Sequence, residues 1–537
     1  MAKKIIKFDQ KSDFYLTTGL NYLDNGDLLK ALPMFFLALE KNVDIETLFC
    51  ISDTYVQMGL YDYSNSMLFE ILLIDPNNSE AGLEIAQNFH SLGLTFKELY
   101  YIGKYSDSED ANEIAEWLEQ RIESNSFSLV HPMSRRDFEF NKHSVEQYIS
   151  KGYFGLAREI LTEMNEYYPR DIFVLNNFSK SYLLEEEYEK AKYWAEQALE
   201  INRDDIFAKC NLGIALMMTE ETENADKIVR EIAMSKTEKS DEVKQLAKFF
   251  CFIGEHDNIV HWCQKALKEN PYDIDYLVYF AIASYNIGEY KSAKETFLKL
   301  LTLAISPIVV KYFLKQIDIA MESNEKKKKL EYTFDVPETE RKKLLKKIKN
   351  MDPVNILEDE NKCDLVSWGL RLDDEELGEF IFDLVLKGDP KSYHEYLQKI
   401  LISDSDPRLK AQALLRLFLD GKRTNIFMTK DDFFVNVVRP NKLPPADVRL
   451  GFLHACATLN AFMLDMGDYS KIYNAACDLS QRLKSKGFFA SESQSKLFAA
   501  LIVRNAQSDL CDDKTLTELF QIDYRLLTIA SESLYTD

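Results

Sequence analysis

The chain has 537 residues, of which 46% are hydrophobic and 28% charged, and it contains only 18 glycines and 13 prolines. This length is too great for one ordinary hydrophobic core and predicts two to four domains or one extended repeat array, while the shortage of glycine and proline favours helices joined by short turns. Few glycines also disfavour an enzyme built on phosphate-binding loops, and a net charge of −23 opposes broad binding of nucleic acid or anionic membranes.

The eight cysteines are scattered and include no Cys-x-x-Cys pair, which disfavours a zinc ribbon or a disulfide framework and predicts reduced thiols. The first ten residues, MAKKIIKFDQ, lack the apolar segment of a signal peptide. The most apolar helical stretch, Leu450 to Leu464, is too short to span a bilayer. We therefore expect a cytoplasmic protein that has no transmembrane segment and needs no cofactor.

A repeat with a period of about 34 residues runs through the first half of the chain. Glycine or glutamate recurs with this period at the predicted turns, with one longer interval between Gly93 and Gly152. These turn residues are Gly26, Gly59, Gly93, Gly152, Glu186, Glu220, Gly254 and Gly288. The middle of each first helix carries a small residue in the same register, except at Val145, and small residues allow two helices to approach closely. The longer interval corresponds to an insertion, Ser106 to Val130, which we predict to be an extra helix.

This pattern resembles the tetratricopeptide repeat family, whose 34-residue helix-turn-helix unit places small and aromatic residues at fixed positions. The residues of the first unit that fall at the family's spacings are Tyr15, Gly19, Tyr22, Ala31, Phe35 and Ala38. Eight units begin near Ser12, Ile45, Ser79, Phe138, Ile172, Ile206, Ser240 and Ile274 and together cover residues 12–307. The third and sixth units depart from the pattern in their second helices. The resemblance implies an all-α, right-handed superhelix with a concave groove that binds a protein or peptide partner.

The predicted domains follow one another along the chain. Repeats 1–3 occupy residues 1–103, the inserted helix and its connector 104–137, and repeats 4–8 with a closing helix 138–323. A basic linker at 324–352 and an all-helical C-terminal domain at 353–537 complete the chain.

The linker at residues 324–352, between the repeats and the C-terminal domain, is basic, whereas the rest of the chain is acidic. It contains a short helix whose basic residues are Arg341, Lys342, Lys343, Lys346, Lys347 and Lys349. Leu344, Leu345 and Ile348 form its apolar stripe, and Thr339 is predicted to cap its start. Such a helix packs between domains against an acidic neighbour, which is the commoner case, or docks on nucleic acid, an anionic membrane or an acidic partner.

After Asp352 the sequence stays helical but loses the 34-residue register. The predicted helices are Glu375–Leu386, Ser392–Ile402, Pro407–Leu419, Ala446–Met466, Tyr469–Lys486, Ser491–Gln507 and Lys514–Leu534. The segment from Asp404 to Phe418 weakly resembles the start of a HEAT-type helix. Ile426 to Val438 is rich in aromatic and branched residues, which predicts an ordered loop or a short edge strand.

A search for chemistry finds no phosphate-loop, dinucleotide-binding, zinc-protease, serine-hydrolase or EF-hand motif in the sequence. Gly421 to Thr424 resembles the end of a phosphate loop, but Arg416 stands where the earlier glycine is required. His256 and His261 are five positions apart and so lie on different sides of a helix, which favours a surface role over a metal site. We therefore predict that the protein has no catalytic residues and no metal site.

The predicted groove gives more information about function than the search for catalytic motifs does. One position in the first helix carries a hydrogen-bonding side chain in four consecutive repeats. The residues at this position are His143, Asn177, Asn211 and Gln245. In some superhelical members of the family, Asn at the matching position holds the backbone of an extended peptide, since a carboxamide both donates and accepts. The resemblance thus implies a ladder, meaning a row of peptide-binding asparagines, at Asn177 and Asn211. His143 and Gln245 depart from the asparagine of this ladder. An asparagine at this position can also form a hydrogen bond with a neighbouring helix.

Five further residues are candidates for the groove, namely Asn176, Lys180, Phe207, Ile214 and Met217. They can equally pack between units. In the first repeat, Leu16 and Leu20 occupy the positions at which chaperone-binding members of the family need polar groups to bind a terminal carboxylate. This departure disfavours a chaperone adaptor of that type.

Three functions remain from the sequence. The leading hypothesis is a non-enzymatic cytoplasmic scaffold that holds an extended peptide or a partner's helix in the groove. The alternatives are a regulator that contacts nucleic acid or an anionic membrane through the basic helix 341–349, and an enzyme with an unrecognised site in the C-terminal domain.

Overall fold

The computed structural model describes residues 11–106, 133–322, 329–372, 374–388, 390–421, 426–462, 469–488, 494–506 and 513–535, together with residues 112, 115, 116 and 118. The described residues form 27 α-helices and one two-stranded antiparallel sheet. The predicted all-α class is therefore confirmed. No helix in the described ranges is both long enough and apolar enough to cross a membrane.

The repeats are helix pairs. The helices of repeats 1–3 are α1 (Ser12–Asp24), α2 (Leu28–Lys41), α3 (Ile45–Gln57), α4 (Tyr61–Ile74), α5 (Ser79–Ser91) and α6 (Thr95–Tyr105). Those of repeats 4–6 are α7 (Arg135–Ser150), α8 (Phe154–Tyr167), α9 (Ile172–Leu184), α10 (Tyr188–Ile201), α11 (Ile206–Met218) and α12 (Thr222–Ala233). Those of repeats 7 and 8 are α13 (Ser240–Ile253), α14 (His256–Glu269), α15 (Ile274–Asn286) and α16 (Tyr290–Thr302).

The remaining elements follow the repeats. They are α17 (Pro307–Glu322), α18 (Glu338–Lys349), α19 (Glu360–Leu370), α20 (Glu375–Gly388), α21 (Pro390–Ile402), α22 (Pro407–Leu419), β1 (Ile426–Lys430), β2 (Phe433–Val437), α23 (Ala446–Ala461), α24 (Tyr469–Ser485), α25 (Ser495–Ala506), α26 (Asp513–Phe520) and α27 (Tyr524–Tyr535). Most of the inserted segment from Ser106 to Val130 lies outside the described residues.

The repeat turns use the left-handed backbone conformation that glycine adopts without strain. Gly26 and Gly152 have φ values of 74° and 82°, and Glu186 and Glu220 hold φ at 62° and 61° in the corresponding turns. The register predicted from the sequence therefore marks the same structural position in every unit, including those where glutamate replaces glycine.

The small residues of the repeats lie where two helices touch. A Cβ atom added at Gly19 would come within 2.5 Å of the buried ring of Phe35, so only glycine fits there. Ser52 and Ser64 share a hydrogen bond of 2.8 Å between their hydroxyl oxygens. The predicted close approach of the paired helices is confirmed at these positions.

Several helix boundaries differ from the prediction, and three of the differences have a clear structural reason. The first helix of the fourth repeat begins at Arg135 instead of Phe138, because Ser134 and Asp137 form a capping box. The basic helix begins at Glu338 with Pro337 before it, so Thr339 is not its cap. The predicted helix Lys514–Leu534 is two helices, because Gln521 turns left-handed and the Asp523 carboxylate accepts from the amides that start the second.

The segment rich in aromatic and branched residues is a β-hairpin. β1 and β2 pair antiparallel with Ile426 opposite Val437 and Lys430 opposite Phe433. Asp431 and Asp432 form the two-residue turn, with φ of 49° and 63°. The sequence predicted either an ordered loop or a short edge strand for this segment, and the strand is confirmed. The segment forms two strands, which pair with each other.

The chain divides into two compact units, and neither is continuous in sequence. The first unit comprises residues 1–115, 236–351 and 360–368. In it α2 packs against α16, and the hydroxyl of Tyr55 donates to the carbonyl of Leu303 at 3.4 Å.

The second unit comprises residues 116–235, 352–359 and 369–537, and so combines repeats 4–6 with the C-terminal helices and the hairpin. In it the hydroxyl of Tyr153 donates to the Asp406 carboxylate at 2.7 Å, and that of Tyr148 donates to the carbonyl of Phe462 at 2.9 Å. This grouping rests on contacts, and the linear boundaries predicted from the sequence stay a prediction.

Candidate protein-binding surface

The two central positions of the predicted ladder lie on neighbouring first helices of the second unit. α9 and α11 pack side by side, and the Asn211 carboxamide nitrogen donates to the carbonyl of Asn176 at 3.3 Å. The Asn177 carboxamide nitrogen donates to the carbonyl of Phe173, one turn earlier in its own helix, at 2.9 Å. Within the described ranges, neither carboxamide oxygen accepts a hydrogen bond. Both nitrogens therefore serve the helices, and the two asparagines are only 8% and 5% exposed.

The structure places the two outer positions of the ladder differently. His143, in α7, has its Nε2 2.9 Å from a carboxylate oxygen of Asp431 at the hairpin turn, so this position contacts the C-terminal part of the same unit. Gln245 is half-buried in α13, which belongs to the first unit. The structure thus brings Asn177 and Asn211 together, while His143 has another contact and Gln245 lies in the other compact unit.

The other groove candidates vary in exposure. Asn176 donates to the Asp205 carboxylate at 2.9 Å and so joins α9 to the start of α11. Lys180 is exposed, whereas Phe207 and Ile214 are half-buried. Met217 packs against the apolar cluster that includes Leu212 and Leu216, so its role is in part structural.

Two apolar residues that the sequence analysis overlooked lie on the same helix face. Leu184 follows Asn177 by seven positions, and Met218 follows Asn211 by seven, so each shares the face of its asparagine. Their side chains are 52% and 44% exposed. The two residues also occupy the same position in successive repeats, and this matched register was the signal that could have identified them.

The basic helix α18 lies in the first unit. Leu344 and Ile348 are buried, which confirms the predicted apolar stripe at these two positions, and Leu345 is half-buried. The acidic partners of its first turns are local, because Arg341 pairs with Asp335, Lys342 with Glu338 and Lys343 with Glu340. Lys346, Lys347 and Lys349 are exposed and form no ion pair within the described ranges.

The other sequence candidates have structural contacts. His256 begins α14, where its Nδ1 is 2.7 Å from the Tyr332 hydroxyl and its Nε2 is 2.7 Å from Lys329 Nζ. Burial and the Lys329 ammonium lower the pKa of His256. Most of the Gly421–Thr424 segment lies outside the described residues. The seven cysteines in the described part of the chain form no disulfide bond.

A cavity with both polar and apolar walls lies in the second unit beside α7. Its walls include Ser144, Gln147, Tyr148, Lys151, Lys410, Thr429, Asp431 and Phe462. The Lys410 side chain is buried, and its ammonium donates to the carbonyl and the hydroxyl of Thr429 at 2.9 and 2.8 Å. Burial lowers the pKa of Lys410 to about 7, with a smaller contribution from the positive charge of Lys151. Sequence spacing could not reveal this cavity, because its walls come from the fourth repeat and from segments in the last third of the chain.

No protein-family model matches the chain. The chain is similar to the TPR repeat-containing protein YvcD of Bacillus subtilis, with 23% identity over 278 residues that make up 49% of this chain and 56% of that protein. It thus spans about half the length of this curated relative.

Solved structures of the same repeat class also match. They include the TPR2AB domain of yeast Sti1 in its pHSP90 complex, at 15% identity and a TM-score of 0.18, over 48% of this chain and 97% of that one. A tetratricopeptide repeat protein from Parabacteroides merdae matches at 14% identity and a TM-score of 0.24, over 58% and 98%. At these TM-scores the superpositions carry no argument about shape or binding.

The chain's own repeats agree with its similarity to the curated relative. Helix pairs succeed one another in a 34-residue register, their turns share one backbone conformation, and small residues separate the paired helices. These are the defining features of one repeat class. The described helix pairs between residues 12 and 302 therefore have the pattern of tetratricopeptide repeats, and the chain is similar to a protein of that repeat class.

Proposed function

We propose that this protein is a protein-interaction scaffold that binds an extended peptide, or an extended segment of a partner, along the first helices of repeats 5 and 6. The observation that carries the proposal is the matched face of α9 and α11. Each helix carries an asparagine with little exposed surface and, seven positions later, an exposed apolar side chain. This face consists of Asn177, Leu184, Asn211 and Met218.

The chemistry of this face suits a peptide backbone with apolar side chains. In this proposal the carboxamide oxygens of Asn177 and Asn211 accept from peptide N–H groups, which every residue except proline offers. Leu184 and Met218 supply apolar contact, and methionine adapts its shape to different partners.

The proposal also follows from the repeat class. Helical repeats bury their apolar faces only against their neighbours and leave an extended surface for recognition. The curated relative is named only for its repeats, so the identity of the partner has to come from this chain's own surface. We infer a cytoplasmic, non-enzymatic role.

A peptide-display selection against the full chain, followed by fluorescence anisotropy with a selected peptide, tests the proposal. We expect the double variant Asn177→Ala, Asn211→Ala to fold normally and to bind at least tenfold more weakly, because two backbone hydrogen bonds are lost. Leu184→Asp should weaken binding by a similar factor, since it places a charge on the apolar contact.

Tyr193→Ala is the matched control. Tyr193 is 53% exposed but lies on α10, a second helix, outside the proposed face. Unchanged affinity in the asparagine and leucine variants, or an equal loss in the tyrosine variant, would show that partners do not bind on this face.

A further inference from the structure

Three side chains with metal-binding atoms meet beside the cavity of the second unit. They are His143 on α7 and Asp431 and Asp432 in the hairpin turn, and one ligand atom from each lies within 4.8 Å of the others. His143 and Asp431 are 25% and 6% exposed in their side chains. The cluster joins segments 288 positions apart in the sequence, which is why the sequence analysis predicted no metal site.

The distances in the cluster fit a coordination sphere. Metal–nitrogen and metal–oxygen bonds of about 2.1 Å place neighbouring ligand atoms about 3.0 Å apart at right angles and about 3.4 Å apart in a tetrahedron. His143 Nε2 and Asp431 Oδ1 are 2.9 Å apart. An ion could therefore bind both atoms with little movement of either element.

The hairpin turn brings the second carboxylate to the same place. Two-residue hairpin turns with positive φ at both positions usually contain Asn-Gly or Asp-Gly. Here two adjacent aspartates hold φ at 49° and 63° instead. The arrangement places two carboxylates next to an imidazole, and these oxygen and nitrogen atoms are ligands that a divalent cation can use.

The surroundings select the kind of ion. Asp431 also lines the cavity, together with Ser144, Gln147 and Thr429, so water bound to a metal would have polar neighbours. Lys410 lines the same cavity and opposes a cation, but its ammonium is held by Thr429. This opposition, and the imidazole ligand, disfavour the weakly bound Mg²⁺ and Ca²⁺ and favour a transition metal.

We propose that His143, Asp431 and Asp432 bind one divalent transition-metal ion of the Mn²⁺ or Zn²⁺ class, with water from the cavity completing its coordination. The ion would tie the first helix of repeat 4 to the hairpin and so fix repeats 4–6 to the C-terminal segment within the second unit. This inference is independent of the proposed peptide surface, because it uses none of the four residues of that face.

Titration of the full chain with Mn²⁺, followed by electron paramagnetic resonance of the free ion, tests the proposal. Mn²⁺ is a suitable probe because it prefers oxygen and imidazole ligands to the chain's cysteines. We expect one ion per chain, and binding at least tenfold weaker in His143→Gln and in Asp432→Asn. Asparagine tolerates the left-handed conformation at position 432, so this variant should keep the turn.

The matched control is His394→Gln. His394 Nε2 lies 3.0 Å from one carboxylate oxygen of Asp420, which reproduces the His–Asp pair without a second aspartate beside it. Binding in this variant should equal that of the wild type. Absence of binding in the wild type at millimolar Mn²⁺, or equal binding in the site variants, would overturn the proposal.

Thermal unfolding gives a second readout that does not depend on the ion's spectrum. Mn²⁺ should raise the Tm of the wild type and of His394→Gln, and it should leave that of Asp432→Asn unchanged, because an ion that binds only the folded state stabilises it. Folding of each site variant is checked first in EDTA, which removes the metal. If His143→Gln or Asp432→Asn fails to fold there, the comparison with the wild type uses the other variant. Equal Tm increases in all folded variants would place the ion elsewhere.

Discussion

The buried ammonium group of Lys410 makes the stability of the second unit depend on pH. Its pKa is about 7 in the folded protein because of burial, against about 10.4 in an unfolded chain. Between these values the unfolded chain binds a proton that the folded chain does not, so the free energy of unfolding rises with pH. The buried charge of Lys410 lowers the free energy of unfolding by its full amount below pH 7, and this effect disappears as the pH approaches 10.

We expect Lys410→Met to remove this pH dependence. From pH 7 to pH 9, the free energy of unfolding of the wild type should increase relative to the variant by up to about 1.4 kcal/mol per pH unit. Urea unfolding followed by circular dichroism at pH 7, 8 and 9 measures the difference. Lys346→Met, at an exposed position of α18, is the control and should parallel the wild type. Parallel profiles for Lys410→Met would mean that Lys410 stays charged in the folded protein.

At the scale of elements, the repeat turns predict a stabilising substitution. Glu186 and Glu220 occupy the left-handed position that glycine fills in the other turns, and this conformation costs a non-glycine residue about 1 kcal/mol. Glu186→Gly should therefore raise the free energy of unfolding by about 0.5 kcal/mol after the entropy of the more flexible unfolded chain is included. Chemical denaturation of the full chain checks the change.

The reverse substitution supplies the comparison for this prediction. Gly152 has φ of 82° with open space around its Cα, so Gly152→Ala tests backbone strain without a steric clash. It should lower the free energy of unfolding by about 1 kcal/mol. A loss of stability in Glu186→Gly would show that the glutamate side chain makes a contact worth more than the strain.

The repeat elements could be predicted from the sequence because each unit satisfies local rules that recur with the repeat period. Ile172 and Ile206, for example, begin α9 and α11 as predicted, since each follows an aspartate cap in the same register. The hairpin could be predicted only as a loop or strand, because strand pairing depends on both halves of the segment. Asp431 beside His143 could not be predicted at all, since no periodicity links residues 288 positions apart.

The candidate surface was predictable in part for the same reason. Asn177 and Asn211 repeat at the family spacing and were found, whereas Leu184 and Met218 repeat equally well but look like ordinary core residues. Only their exposure distinguishes them. Periodicity therefore locates a face of the helix, and exposure distinguishes the apolar residues on that face that can meet a partner from those of the core.

At the scale of the whole molecule, the charge distribution bears on the alternative that the basic helix contacts nucleic acid or an anionic membrane. The chain carries a net charge of −23. Half of the helix's six basic residues pair with nearby carboxylates, which leaves Lys346, Lys347 and Lys349 exposed. Three charges on an acidic body are too few to hold a polyanion once salt screens them over about 8 Å.

We therefore expect the full chain to bind neither duplex DNA, single-stranded RNA nor phosphatidylserine vesicles at 150 mM salt. At 20 mM salt any weak binding should vanish in the triple variant Lys346→Gln, Lys347→Gln, Lys349→Gln, because each released counterion contributes to the affinity. Fluorescence anisotropy and vesicle sedimentation measure both cases. Arg341→Gln is the contrasting variant, since its guanidinium is already paired with Asp335 and should matter less. If the wild type binds DNA, RNA or vesicles at 150 mM salt and the triple variant does not, the basic helix is a contact for polyanions. The protein would then have a function besides that of a protein-interaction scaffold.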